Sequence, residues 1–225
     1  MRPSSSVCAL VLLVACAPRV HQASSSAPAA GPITPVASEA PAGTYTLDRS
    51  HASLLFRVNH LGFSRYTARF TRFDAELRLD PADPAAASVV ATIDASSIET
   101  DNPDPTYDFD AQLRGEAWLD AARFPQMTFR STRVELTGPD TARITGDLAL
   151  HGVTLPVSLD ATFNGGYAGH PLDPFGARIG FSAQGSLERS RFGIAEGVPA
   201  PGSSIGVGDA VEILIEAEFT QEAGA

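Results

Sequence analysis

Four of the five histidines, His51, His60, His151 and His170, and an acidic run of Asp101, Asp104, Asp108 and Asp110 are the residues whose types and place in the folded part fit proton transfer or metal binding. Imidazole exchanges protons near neutral pH and is the commonest metal ligand, while clustered carboxylates hold divalent cations. The spacing supports neither chemistry. No two of these histidines stand four residues apart, and the chain has no His-Glu-x-x-His helix and no Gly-x-Ser-x-Gly elbow. The acidic run lacks the central glycine and terminal glutamate of a calcium loop, so it reads as a helix cap or a solvated loop. His151 reads as a turn residue. His60 falls on the apolar face of a strand and is expected to be a hydrogen-bonded core histidine. All 16 basic residues are arginine, which removes Schiff-base, phosphate-loop-lysine and serine-lysine chemistry together.

The two cysteines, Cys8 and Cys16, both lie near the N-terminus. Arg2 precedes the apolar run Val7 to Ala15, and Leu13-Val14-Ala15 leads directly into Cys16, the pattern of a bacterial lipoprotein signal with its lipobox. The reading assigns 1–15 to the signal peptide and makes Cys16 the lipidation site. The folded part is then without thiol nucleophile, disulfide or cysteine-bound metal. Residues 16–43 are Ala, Ser and Pro with little apolar periodicity and are expected to be a disordered tether. Residues 44–221 have the length of one all-β domain, and 222–225 form a tail. The formal charge is −10, and loss of Arg2 with the signal makes it −11, which excludes nucleic acid as a natural partner.

The elements that must position any site are strands, since period-two alternation recurs while helical periodicity is nearly absent. The clearest case is a hairpin at His151-Gly152. A two-residue turn pairs Leu150 with Val153, Leu148 with Leu155 and Gly146 with Val157, so apolar residues meet on one face. Both turn residues then need positive φ, which Gly accepts freely. Six further strands bring the total to eight: Leu54 to His60, Tyr66 to Leu79 with a bulge between Phe70 and Phe73, Ser88 to Asp94, Gln126 to Leu136, Ala177 to Glu188, and Val211 to Phe219. Short connections and one apolar face per strand predict an all-β, eight-stranded antiparallel up-and-down barrel, with a two-sheet sandwich as the other architecture. The long connection Ala95 to Pro125, between the third and fourth strands, is expected to carry a short helix near Thr106 to Arg114 and to cover one end.

Several segments, in this order and spacing, resemble the YceI-like, polyisoprenoid-binding proteins of bacterial envelopes. They are Tyr45-Thr46-Leu47-Asp48 with Ser50 and His51, Phe56-Arg57-Val58-Asn59-His60-Leu61-Gly62, and Ser97-Ile98-Glu99-Thr100. Phe124-Pro125-Gln126-Met127-Thr128-Phe129, the Leu-His-Gly-Val-Thr hairpin, Arg189-Ser190-Arg191-Phe192-Gly193 and Val207-Gly208-Asp209-Ala210-Val211 complete the set. The resemblance implies a lipocalin-like barrel whose apolar lumen holds a long isoprenoid chain such as that of a quinone. The chain departs from the usual pattern at Phe109 and Gln112, where the family commonly has Arg and His, at Tyr45 for Trp, and at Leu155 for Lys.

On this reading the protein is not an enzyme. It binds a polyisoprenoid or isoprenoid quinone in the lumen for storage, sequestration or transport in the cell envelope, and requires no cofactor or metal. Lumen contacts, taken from strand face, are expected at Phe56, Val58, Ile144, Leu148, Leu155, Val157, Ile179, Phe181, Ile213 and Ile215. The partners are the lipid and, through Cys16, a membrane, with a homodimer compatible. The location is periplasmic and membrane-anchored, or secreted if the lipobox is not used. Two other readings stand beside it: an enzyme acting on an isoprenoid or quinone inside the barrel with His60 as base, and a structural envelope protein with a solid core.

Overall fold

Alternation along the chain closes into a ring. A computed structural model describes residues 31 and 33–221. Its strands are β1 (Gly43–His60), β2 (Ser64–Phe70), β3 (Phe73–Leu79), β4 (Ser88–Asp94), β5 (Ile98–Glu99), β6 (Gln126–Leu136), β7 (Thr141–Leu150), β8 (Val153–Tyr167), β9 (Ala177–Glu188) and β10 (Val207–Gln221), with one helix, α1 (Phe109–Arg114). The sheet runs β10-β9-β8-β7-β6-β4-β3-β1-β2-β5, and β10 also pairs with β1. β3 pairs with the first half of β1 and β2 with the second, so the two act as one stave, and β5 adds two residues beside β2. The result is a closed eight-stranded antiparallel barrel, not a sandwich. Closure leaves no long unpaired edge.

The hairpin register is the one the alternation requires: Leu150 faces Val153, Leu148 faces Leu155 and Gly146 faces Val157. His151 and Gly152 turn the chain at φ 52° and 77°. The parity break between Phe70 and Phe73 is a full interruption at Thr71 and Arg72: Thr71 N donates to Ser97 O (3.0 Å), and Arg72 O accepts from Asp94 N (2.9 Å) at the end of β4. β1 starts at Gly43, well before Leu54, because a polar corner at Asp48 to His51 shifts its register and hides the alternation. α1 is shorter than expected. Asp108 caps it by accepting from Ala111 N at 2.8 Å, and Asp110 accepts from Thr100 N at 2.9 Å, so the acidic run serves turns and caps.

Two apolar clusters fill the two ends. At one end, Ile93, Met127, Phe129, Leu150, Val157 and Leu159 pack against Ala121 of the long connection and against Phe192 and Ile194 beyond β9. At the other, Tyr45, Leu47, Leu77, Leu79, Ala177, Ile179, Ala217 and Phe219 pack together with Ala40. Between them, glycines let large side chains interdigitate. A Cβ on Gly146 would meet Phe129 at 2.4 Å, and one on Gly185 would meet Leu159 at 2.7 Å.

The stretch read as tether differs from expectation within the described residues. Residues 33–42 form a strap across the second end. Val36 N donates to Pro139 O at 2.8 Å, Ala40 is buried beside Ile179, and Tyr45 donates its hydroxyl to Pro41 O. Composition conceals this because so few residues do the packing. The signal peptide, Cys16, residues 16–30 and the 222–225 tail lie outside the described residues.

Candidate functional site

The inward faces of the staves form an apolar lumen that is only partly filled. Ile144 and Leu148 of β7, Leu155 of β8, and Ile213 and Ile215 of β10 pack on the first cluster yet stay half-buried. A side chain that faces inward and keeps accessible surface borders unfilled space. Phe56 lies opposite Ile213 and Val58 opposite Val211, with the Phe56 ring 5.6 Å from that of Phe70. Two of the ten expected contacts are shut away: Val157 is 7% exposed in the first cluster and Ile179 is 1% exposed in the second. They build the wall and offer a ligand no surface, because each sits at a level where the interior is already close-packed.

A cavity of ≈100 Å³ opens at the strap end. Leu77, Leu79, Val89, Val134, Leu136 and Phe163 line it with Ile144 and Phe181, and Pro35, Val36 and Pro139 form its rim. Of the expected contacts, Ile144 and Phe181 border it. The β3, β4 and β6 part of the wall alternates in the same way but is not among the expected contacts. The strap residues carry no periodic signal at all.

Among the described residues the polar groups build no catalytic constellation. His60 is exposed at the end of β1, where it pairs with Val207 and Ser64; the expected core histidine is therefore wrong, and a lumen base at this position is excluded. His151 Nδ1 lies 3.0 Å from Phe192 O at the hairpin turn. Asp48, Ser50 and His51 are near one another, but Ser50 Oγ and Asp48 Oδ2 both approach the same ring nitrogen, Nδ1, at 3.2 and 2.8 Å. A relay needs the hydroxyl on the other nitrogen. Asp48, His51 and Glu218 have ligand atoms within 4.8 Å of one another. The Arg178 guanidinium already occupies that centre, 2.8 Å from Asp48 and 2.6 Å from Glu218, and it also binds Asp173 at 2.6 Å.

That cluster is an electrostatic clasp. Burial pushes the Asp48 carboxyl up, but hydrogen bonds from Ser50, Arg178 and His51 outweigh it and hold it well below the usual carboxylate range. Arg178, with help from Tyr167, does the same to Asp173. A second arginine, Arg189, is 5% exposed and has no carboxylate partner. It donates to the carbonyls of Gly208 (2.9 Å), Ile194 (3.0 Å) and Val207 (2.7 Å) and lies 5.1 Å over the Trp118 ring.

The YceI-like domain model matches residues 45–219. A UPF0312 protein of Vibrio cholerae is 40% identical over 156 residues, 68% of this chain and 78% of that protein. Protein YceI of Escherichia coli O157:H7 is 36% identical over 189 residues, 83% of this chain and 91% of its own. Among solved structures, the Campylobacter jejuni YceI protein superposes with TM-score 0.60 at 28% identity, covering 73% of this chain and 90% of that one. A barrel with this strand order, matched along almost its full length, identifies the chain as a member of the YceI-like family.

Proposed function

We propose that this chain is a non-enzymatic lipid carrier or store of the bacterial envelope, binding a polyisoprenoid or isoprenoid quinone along the inward rows of the barrel. The carrying observation is the lumen itself: half-buried aliphatic rows on β7, β8 and β10, and a cavity lined mostly by apolar residues that shares Ile144 with the β7 row. The same fold, at TM-score 0.55 and 14% identity, occurs in a polyisoprenoid binding domain from Saccharophagus degradans, a likeness of fold alone.

Magnitudes favour a narrow, flexible hydrocarbon chain. A dry apolar cavity of ~150 Å³ holds one benzene, so the ≈100 Å³ here takes one short segment of a chain, and the rest must thread past Leu148, Leu155 and Ile213. Hydrocarbon gains ~0.8 kcal/mol per CH₂ on leaving water but almost nothing on leaving a bilayer. Exchange is therefore reversible only next to a membrane, and lipidation of Cys16 would keep the protein there.

Organic extraction of the purified protein followed by mass spectrometry tests this. A prenyl lipid is expected from the wild type, and at least ~tenfold less from Ile144→Asp, which places a carboxylate in a dry wall. An extract with no lipid overturns the reading. Metabolic labelling with palmitate, lost in Cys16→Ser, tests the anchor.

A further inference from the structure

We infer that the strap end of the barrel is a membrane-docking face, and that Leu172 and Phe175 are the side chains that enter the lipid. The inference rests on the lumen being a lipid site and adds where that site meets its source. Leu172 is 87% exposed and Phe175 59% exposed, a cost in water that no neighbour relieves. They project from the β8–β9 loop, whose shape is fixed. Asp173 N donates to His170 O (2.9 Å), Phe175 N donates to Asp173 Oδ1 (3.0 Å), and Arg178 Nε donates to Asp173 Oδ2 (2.6 Å).

Three observations name a bilayer as the occupant. The apolar cavity opens at this end, where the β3–β4, β6–β7 and β8–β9 connections gather. Strap residues Ile33 and Val36 add further exposed apolar surface on the same side. Cys16, the expected lipidation site, precedes the strap in the chain and is joined to the barrel through it. The opposite rim also exposes Phe63, Tyr107 and Ile205, but behind them lies the cluster closed by Ala121, Phe192 and Ile194, so no apolar path leads inward. Glu39, Asp80, Asp83 and Asp140 are exposed at the docking end, so apolar insertion, and not attraction to anionic headgroups, supplies the binding.

The chain has one tryptophan, Trp118, so a depth measurement is direct. In the full chain carrying Trp118→Phe, single tryptophans are placed by Leu172→Trp, Phe175→Trp, Phe63→Trp or Ile205→Trp. Each protein is bound to vesicles of phosphatidylcholine brominated on its acyl chains, which quench only indoles within the bilayer. Tryptophans at 172 and 175 should lose most of their emission, and those at 63 and 205 almost none, with no gain when anionic lipid is added. Quenching at 63 or 205 instead, or at none of the four, overturns the docking face. Either result leaves the lumen reading intact if lipid is still extracted from the protein.

Discussion

At the rim beyond β9, the long connection and the Arg189–Phe192 turn are part of the core: Leu113, Ala121, Phe192 and Ile194 are all buried, and Arg189 threads among three carbonyls. At the opposite rim the strap is held by one backbone hydrogen bond, one buried alanine and one tyrosine hydroxyl. Opening the first end exposes a cluster of large side chains and orphans a guanidinium; opening the second exposes little. A long connection is therefore no guide to where a barrel opens. Here the longest loop is packed into the core, and a short Ala/Pro segment with few contacts borders the cavity.

Arg189→Met should break the fixed end most severely. It leaves the carbonyls of Ile194, Val207 and Gly208 without their donor and takes the cation off Trp118, for ~3 kcal/mol or more in urea unfolding. A loss below ~1 kcal/mol, the size of one ordinary hydrogen bond, would mean that the plug is not part of the core. Gly146→Ala should cost ~1–3 kcal/mol, since the added Cβ meets Phe129 and the Arg130 carbonyl at 2.4 and 2.5 Å. A neutral result would show that the middle of the barrel is looser than its packing implies.

Exchange kinetics sharpen the contrast at lower energetic cost. A short bismaleimide joining Val36→Cys to Pro139→Cys, residues already linked through a 2.8 Å backbone bond, should slow uptake of a fluorescent farnesyl analogue severalfold with little change in stability. The same reagent joining Tyr66→Cys to Phe109→Cys, whose rings are 5.8 Å apart under the long connection, should leave uptake unchanged. Slowing by the second link and not the first would reverse the roles of the two ends.

The staves were legible because a barrel wall repeats every two residues. Leu148, Leu155 and Val157 announce a face, and eight such faces joined by short turns bury them all when the sheet closes. β1 before Leu54 was not legible, because Asp48, Arg49, Ser50 and His51 form a polar corner that serves the Arg178 clasp. The strap was illegible for a different reason: its contribution is a backbone N–H and a methyl group, which leave no mark on composition. Candidate contacts read from face alone mixed Ile144 and Phe181, which border the cavity, with Val157 and Ile179, which do not. Parity gives the side of a wall but not the height at which the interior is filled.

The clasp behind the docking loop gives the smallest effect, and one that depends on pH. Asp48 and Asp173 titrate lower in the folded protein than in the unfolded chain, so their contribution is fully present above the ordinary carboxylate range, near pH 4, starts to fall below it, and is lost only as pH drops through their own, much lower, folded-state range. Arg178→Met leaves Asp48, Asp173 and Glu218 facing one another beside His51 and Tyr167 without their shared cation. The variant should melt below the wild type at pH 7. The gap should begin to narrow as pH falls below about 4 and should still be open in part at pH 3, because Asp48 and Asp173 stay ionised in the wild type far below the ordinary carboxylate range. A gap of constant size from pH 7 to 3 would show that Arg178 acts by packing alone, and that the loop bearing Leu172 and Phe175 owes its shape to something other than the clasp.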